Sequence, residues 1–399
     1  MKIKALFRYV REHRLAEIQP VRHQETVSRI ILRLLVVLVW LYLFLLAVTL
    51  MGKAFKLFGK GFAEALLEYT SNPVAGLFIG ILATSLVQSS STVTSTVVAM
   101  VASGALKPVV AAPIVMGANI GTSVTSTIVA IGFVRRRQEF GRAISSGTVH
   151  DFFNIIVTLI LFPVEITFHP LLKLSTWLAH AFAGSGQAGH ELSFTGPVKA
   201  AVEPVAGAIV DSLKSALGSG DRFVGVVTLA VAAALLFFAL VRLTRTMKKL
   251  LMGKLSVIFN RTLKSGGVIG IAVGAIATGI VQSSSVTTSL LVPLVAAGLI
   301  DVAQAFPLTL GANIGTTVTA VLASLTGNVA GVIVAFEHVL FNVLGVAIIY
   351  PYPPLRRIPI KMALWLGGVA RRSRKFAIIY VILAFFVLPV LVIIVSRLL

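Results

Sequence analysis

Apolar runs closed off by short basic stretches follow one another along most of this chain. Runs of roughly 20 residues or more, enough to cross a bilayer as helices, lie at 30–50, 108–134, 144–166, 223–243, 302–325, 329–350 and 376–395. Two further runs, 73–104 and 266–299, carry Gln-Ser-Ser-Ser in the middle, and the apolar arms on either side are too short to cross. Both read as re-entrant helical hairpins, with residues 88–91 and 282–285 near their tips.

The two hairpins open a longer repeat. QSSSTVTSTVVAMVASGALKPVVAAPIVMGANIGTSVT starts at Gln88, and QSSSVTTSLLVPLVAAGLIDVAQAFPLTLGANIGTTVT starts at Gln282. They align without a gap, and about half of the positions are identical. Such self-similarity sets the architecture. The full-length runs between the hairpins, at 108–134, 144–166 and 223–243, are odd in number, so the second copy has the opposite orientation. The expected fold is an all-α polytopic membrane protein of two inverted-topology repeats. Each repeat carries a re-entrant helical hairpin with QSSS and a helix broken at GANIGT. Repeats of this kind, with short interrupted segments at matching places, put a binding site at the membrane midplane.

Composition narrows this further. The chain of 399 residues is 57% hydrophobic and 12% charged, too apolar for a soluble domain. It has no cysteine, hence no disulfide framework and no thiolate metal site. The net charge of +21 falls in blocks between spans. That is the signature of cytoplasmic loops, and without an aromatic-and-basic stripe it does not indicate nucleic acid. Residues 1–29 form a basic, amphipathic, cytoplasmic or interfacial segment. The apolar run that follows is too long for a signal h-region, so the N-terminus is expected inside. Repeat 1 then occupies 30–166, with a mixed stretch at 51–71 expected as an interfacial helix on the outer side. An extracytoplasmic linker is expected at 167–222, repeat 2 at 223–351, a basic cytoplasmic segment at 352–375 and a final helix at 376–399. This count leaves the C-terminus outside.

Polar groups within apolar runs must be satisfied internally or by a ligand. Gln88, Ser89, Ser90, Ser91 and Gln282, Ser283, Ser284, Ser285 offer hydroxyls that donate to an oxyanion or give lone pairs to a hard cation; Thr92 follows the first set. The competing reading is helix packing through small hydroxyl residues. GANIGT brings Asn119 and Thr122 in one copy, and Asn313 and Thr316 in the other, with Thr125 and Thr319 just beyond. Glycine there permits an interrupted helix whose freed amides attract an anion, with the asparagines as caps; a plain packing kink is the alternative. A third pair, His150 with Asn154 and His338 with Asn342, puts His and Asn on one helix face in each half, with Asp151 and Glu337 adjacent. These are candidates for the site, and equally for buried ties between a helix and its hairpin.

On these motifs, with TVHDFFN, LFPVE and YPYPPLRRIPIKMA, the sequence resembles the type II sodium-dependent phosphate cotransporter family across most of 73–164 and 266–395. The resemblance implies a secondary active transporter carrying inorganic phosphate into the cell with sodium by alternating access. It implies that Gln282, Ser283, Thr316 and Thr319 form a sodium site. The phosphate cradle would be Gln88, Ser89, Ser90, Ser91, Ser283, Ser284 and Ser285, with Asn119 and Asn313. The short cysteine-free linker suggests a bacterial inner-membrane member. No cofactor is expected beyond the coupling ion, and the partners are phosphate, sodium and the lipid bilayer, with a homodimer left open. Arg and Lys are sparse around the expected site, so sodium and helix ends would balance the phosphate charge. A symporter of another oxyanion or a carboxylate, coupled to sodium or protons, is the nearest rival. An intramembrane hydrolase is disfavoured because no nucleophile elbow is present.

Overall fold

The computed structural model describes residues 27–59, 61, 72–183, 196–218, 220–262, 267–396 and 398. Residues 1–26 of the N-terminal segment, most of 60–71, the middle of the linker and Gly266 lie outside the described residues. The regular structure described is helical throughout.

Each Gln-Ser pair turns the chain between two short helices. In the first hairpin, α1 (Pro73–Val87) begins with Pro at its first turn and with Asn72 as cap, whose side chain accepts from Val74 N at 2.9 Å. Proline lacks the N–H that a first turn leaves idle. The helix stops because Gln88 adopts φ 59°, the left-handed region. Ser89 is then extended and caps α2 (Ser90–Ala102), accepting from Thr92 N at 3.2 Å. The second hairpin repeats the device: α3 (Gly267–Val281), Gln282 at φ 60°, Ser283 as cap, and α4 (Ser284–Ala296). These four arms have 15, 13, 15 and 13 residues, and at 1.5 Å per residue none crosses a bilayer alone.

Each hairpin is followed by a helix carrying GANIGT. In the first copy that helix runs Pro108–Gly121 (α5) and resumes after a two-residue turn as α6 (Val124–Ile131). In the second copy a single helix, α7 (Val302–Ser324), runs straight through the motif. The expected break at GANIGT is thus present in one copy, just after the second glycine, and absent in the other. The asparagines cap nothing: both lie inside helices. The glycines serve close packing instead. A Cβ at Gly117 or Gly121 would run into the Leu77 or Ile81 carbonyl of α1. At Gly311 or Gly315 it would run into those of Ile271 or Ala275 on α3. Glycines four residues apart let two backbones touch, the small-xxx-small contact of membrane helices.

The hairpin bases lie at opposite ends of α7. Its start follows the base of the second hairpin directly, held by a capping box between Asp301 and Gln304. Beyond its other end, Asn328 donates to the Ala102 carbonyl at the base of the first hairpin, at 3.1 Å. With 23 residues, α7 is about 34 Å long, enough to cross a bilayer.

Around this centre stand the long helices. Among the described residues, seven stretches are long and apolar enough to cross: Ile31–Leu57, Pro108–Ile131, Arg137–Phe168, Asp221–Leu250, Val302–Ser324, Val329–Ile349 and Arg374–Val395. We label the helices still unnamed α8 (Val27–Leu57), α9 (Arg137–Phe168), α10 (Asp221–Thr262) and α11 (Val329–Ile349). The first of these runs on past residue 50, so Lys53 and Lys56 extend the first span and do not start a separate interfacial helix. The linker contributes helices Pro170–Ala183 and Gly196–Leu217. The basic 352–375 stretch is also helical, Pro353–Arg372 (α12), and lies against α9 where Gly141 and Gly367 approach closely. Of the two larger apolar cores, one joins α8, α2 and α10 and the other joins α9, α4, α7 and α11.

Candidate functional site

The two Gln-Ser links meet. Between them lies a cavity of about 320 Å³ lined by residues 88–92 of the first hairpin and 282–286 of the second. Both α2 and α4 start here. Their first backbone N–H groups have no intrahelical acceptor and carry the positive end of the helix dipole. The remaining wall is one face of α10, ending at Arg245 and Lys248. Basic side chains are therefore not sparse around the links, contrary to the expectation from sequence. A larger cavity, about 610 Å³, lies among α9, α12 and the turn from α4 to α7, and includes none of the QSSS, GANIGT or His-x-x-x-Asn residues.

In both copies the link glutamine is held by the same pair of contacts. Thr125 donates to Gln88 Oε1 at 2.9 Å, and Thr319 to Gln282 Oε1 at 2.7 Å, each across 37 residues. The glutamine amides turn back to Ser85 O and Gly279 O, ending their helices. Surroundings differ sharply. Gln88 is exposed, whereas Gln282 is 7% exposed and Thr319 is fully buried.

Ser91 lies against the buried copy. Its hydroxyl reaches across the hairpins to the Gln282 carbonyl at 3.5 Å and to the hydroxyls of Thr316 and Thr319 at 3.4 Å each. Ser91, Gln282, Thr316 and Thr319 thus form a buried cluster whose facing atoms are all oxygens. Thr122, the counterpart of Thr316, turns its hydroxyl back to Ala118 O at 2.9 Å within its own helix. Three of the four residues expected for sodium are in the cluster. The fourth, Ser283, is the cap of α4, and Ser91 occupies the place beside the others. The hydroxyl of Thr92 donates to Ser89 at 2.8 Å, inside the first link. Ser90 and Ser284 are buried in the first turns of α2 and α4, and Ser285 lines the cavity.

The His-x-x-x-Asn pairs do something the sequence did not disclose. His150 and Asn154 of the first half grip Asn313 of the second: His150 Nε2 meets Asn313 Oδ1, and Asn313 donates to Asn154 Oδ1 at 2.7 Å. Reciprocally, His338 Nε2 lies 3.4 Å and Asn342 Nδ2 3.2 Å from Asn119 Oδ1. Asn154 also donates to the Asn119 carbonyl at 2.8 Å, closing the network. All six side chains are buried. Asn119 and Asn313 have these cross-half partners, and neither lines the cavity at the links. Beside them, Asp151 accepts from the Tyr380 hydroxyl at 3.2 Å, while both Glu337 oxygens lack a partner among the described residues.

These features define a multi-pass α-helical membrane protein with a polar centre built where two related hairpins meet. The chain belongs to the Na+/Pi-cotransporter family, whose model matches residues 43–177 and 235–353. It is similar to sodium-dependent phosphate transport protein 2B of Pongo abelii and of Homo sapiens. Each is 34% identical over 90% of this chain, with 65% and 64% of the relative's own length covered. Sodium-dependent phosphate transport protein 2A of Ovis aries is 35% identical over 91% of this chain and 67% of its own length. The chain thus spans a little under two thirds of the first two relatives. No solved structure matches it.

Proposed function

We propose that the protein is a sodium-coupled symporter of inorganic phosphate, working by alternating access in a bacterial inner membrane with its N-terminus inside. The observation that carries this is the cluster of Ser91, Gln282, Thr316 and Thr319 abutting the cavity between the two links. Its 3.4 Å oxygen separations exceed the roughly 2.7–2.8 Å of a hydroxyl hydrogen bond. They match the spacing of neighbouring ligands about 2.4 Å from a shared hard cation. The cavity beside it offers helix N-termini and serine hydroxyls, which suit an oxyanion. Sodium in the cluster lowers the cost of bringing phosphate next to it, and by linkage phosphate raises sodium affinity by the same factor. Hairpin bases at opposite ends of α7 favour inverted repeats, in which the halves rock around a fixed centre. The names of the relatives support the same substrates.

The test is uptake of radiolabelled phosphate into proteoliposomes under an inward sodium gradient, compared with a potassium gradient and with excess sulfate. Uptake that requires sodium and ignores sulfate is expected. Uptake driven equally by potassium, or abolished by sulfate, would remove the coupling ion or the substrate from this reading.

A further inference from the structure

The helix that completes the cavity carries no repeated motif, and its contribution is chemical. From Phe237 through Leu240, Val241 and Thr244 to Arg245 and Lys248, α10 turns one face to the cavity. Those positions span about three turns, or some 16 Å of axis. The α10 wall of this cavity therefore combines an apolar stretch, Phe237 to Val241, with a cationic one, Arg245 and Lys248. Neither Arg245 nor Lys248 forms an ion pair with a described residue. Arg242, in the same basic stretch, faces elsewhere: its guanidinium stacks on Phe238 at 4.9 Å and Trp40 at 5.8 Å. Arg245 is exposed and Lys248 half-buried, and cations lining a cleft set up a field that concentrates anions there. They share this cavity with two helix N-termini of the same sign.

We propose that Arg245 and Lys248 are the cationic wall of this cavity and bind the oxyanion there together with the QSSS links. This rests on the reading of the links as an oxyanion site and extends it to residues outside the repeats. Orienting the first-half and second-half motifs needs no such charges, so a purely topological role for α10 predicts no effect on affinity once the protein is folded.

The experiment is phosphate binding to the purified full chain in detergent with saturating sodium, measured by calorimetry, for the parent, R245Q/K248Q, R245K/K248R and R242Q. Stabilisation by sodium alone, followed by thermal shift, reports folding of each variant. R245Q/K248Q is expected to bind phosphate at least tenfold more weakly, with a flattened dependence on ionic strength and unchanged sodium stabilisation. The charge-preserving R245K/K248R should recover most of the affinity, and R242Q should match the parent. Phosphate affinity within twofold of the parent in folded R245Q/K248Q, or an equal loss in R242Q, overturns the proposal. If the parent binds sulfate but not phosphate, the substrate reading has failed, and the same variants compared with sulfate still decide the wall. A parent that binds neither anion overturns both.

Discussion

The two copies of the repeat have the same link residues and the same glutamine–threonine pair, yet one glutamine stands exposed and the other belongs to a buried oxygen cluster at the cavity's edge. The difference is not in the motif. Gln88 stands exposed with Thr125 half-buried beside it, and a turn after Gly121 separates Thr125 from the helix before it. Gln282 with Thr319 is braced by an unbroken α7 and covered by Ser91 from the other copy. A duplicated sequence thus acquires two unlike surroundings, and Ser91 of the first copy joins only the second. Symmetry supplies the parts, and the breach of symmetry gives them different surroundings.

What the copies share should cost most when broken, and should cost the same in each. Replacing Gly121 or Gly315 by Leu pushes a side chain into the backbone of the neighbouring hairpin arm. Both variants are expected to lose at least ~3 kcal/mol, the upper range for overpacking, and to elute as aggregates on size exclusion. A well-folded protein with Leu at either position would mean that the arm can move aside, and the rigid pairing of hairpin with GANIGT helix would fall.

The cross-half network is symmetric in design but tighter on one side. Asn313 has its Asn154 partner at 2.7 Å, whereas the partners of Asn119 Oδ1 are at 3.2 and 3.4 Å. Asn313→Leu leaves two buried polar groups unpaired, at about 1–3 kcal/mol each. Asn119→Leu is expected to cost less, by about 1 kcal/mol. Denaturant unfolding in detergent, followed by tryptophan fluorescence, would rank them; the reverse order would show that the shorter contacts are not the stronger ones.

Much of this was legible in the chain, and the illegible part has a common cause. Spans and hairpin arms follow from run length, because the bilayer imposes it. The tips follow from QSSS, because hydroxyls and amides in an apolar run mark where helices stop. GANIGT was harder, since glycine signals either a broken backbone or a close approach. The four-residue spacing of Gly117 with Gly121, and of Gly311 with Gly315, was the available clue to packing. His150 and His338 were correctly paired with Asn154 and Asn342 on one face. That each pair grips the opposite half is a tertiary contact with no periodic trace. The same holds for Ser91, which could not be told from Ser90 by type or spacing. Arg245 and Lys248 read as topology charges because nothing local says which face of α10 they share with the cavity.

The buried copy should feel the loss of a hydroxyl and the exposed copy should not. Thr319→Val leaves Gln282 Oε1 buried without its donor, a penalty of about 1–3 kcal/mol. The same hydroxyl is one of the cluster's oxygens, and its loss should raise the sodium concentration for half-maximal uptake by about tenfold, the step for 1.4 kcal/mol of binding. Thr125→Val removes an equivalent bond outside the buried cluster, and should shift that concentration by less than about twofold, or some 0.4 kcal/mol. Sodium-activation curves in proteoliposomes measure both. Equal shifts would mean that the copies bind sodium alike and that the contact with Ser91 is incidental.

The smallest contrast is the sharpest, because it compares one side chain in one motif. Thr316 turns its hydroxyl to Ser91, at 3.4 Å, while Thr122 turns its hydroxyl to the Ala118 carbonyl. The second bond is a helix back-bond, which carries little stability. Thr122→Val therefore keeps shape and burial and should leave sodium activation and unfolding unchanged. Thr316→Val keeps the same shape but takes one oxygen from the cluster, so sodium demand should rise about threefold, or some 0.6 kcal/mol. Double replacement with Ser91→Ala tests whether the hydroxyls act on one ion. For a shared ion the effects of Thr316→Val and Ser91→Ala are less than additive. Strict additivity would place the two hydroxyls at separate tasks and dissolve the cluster as a single site.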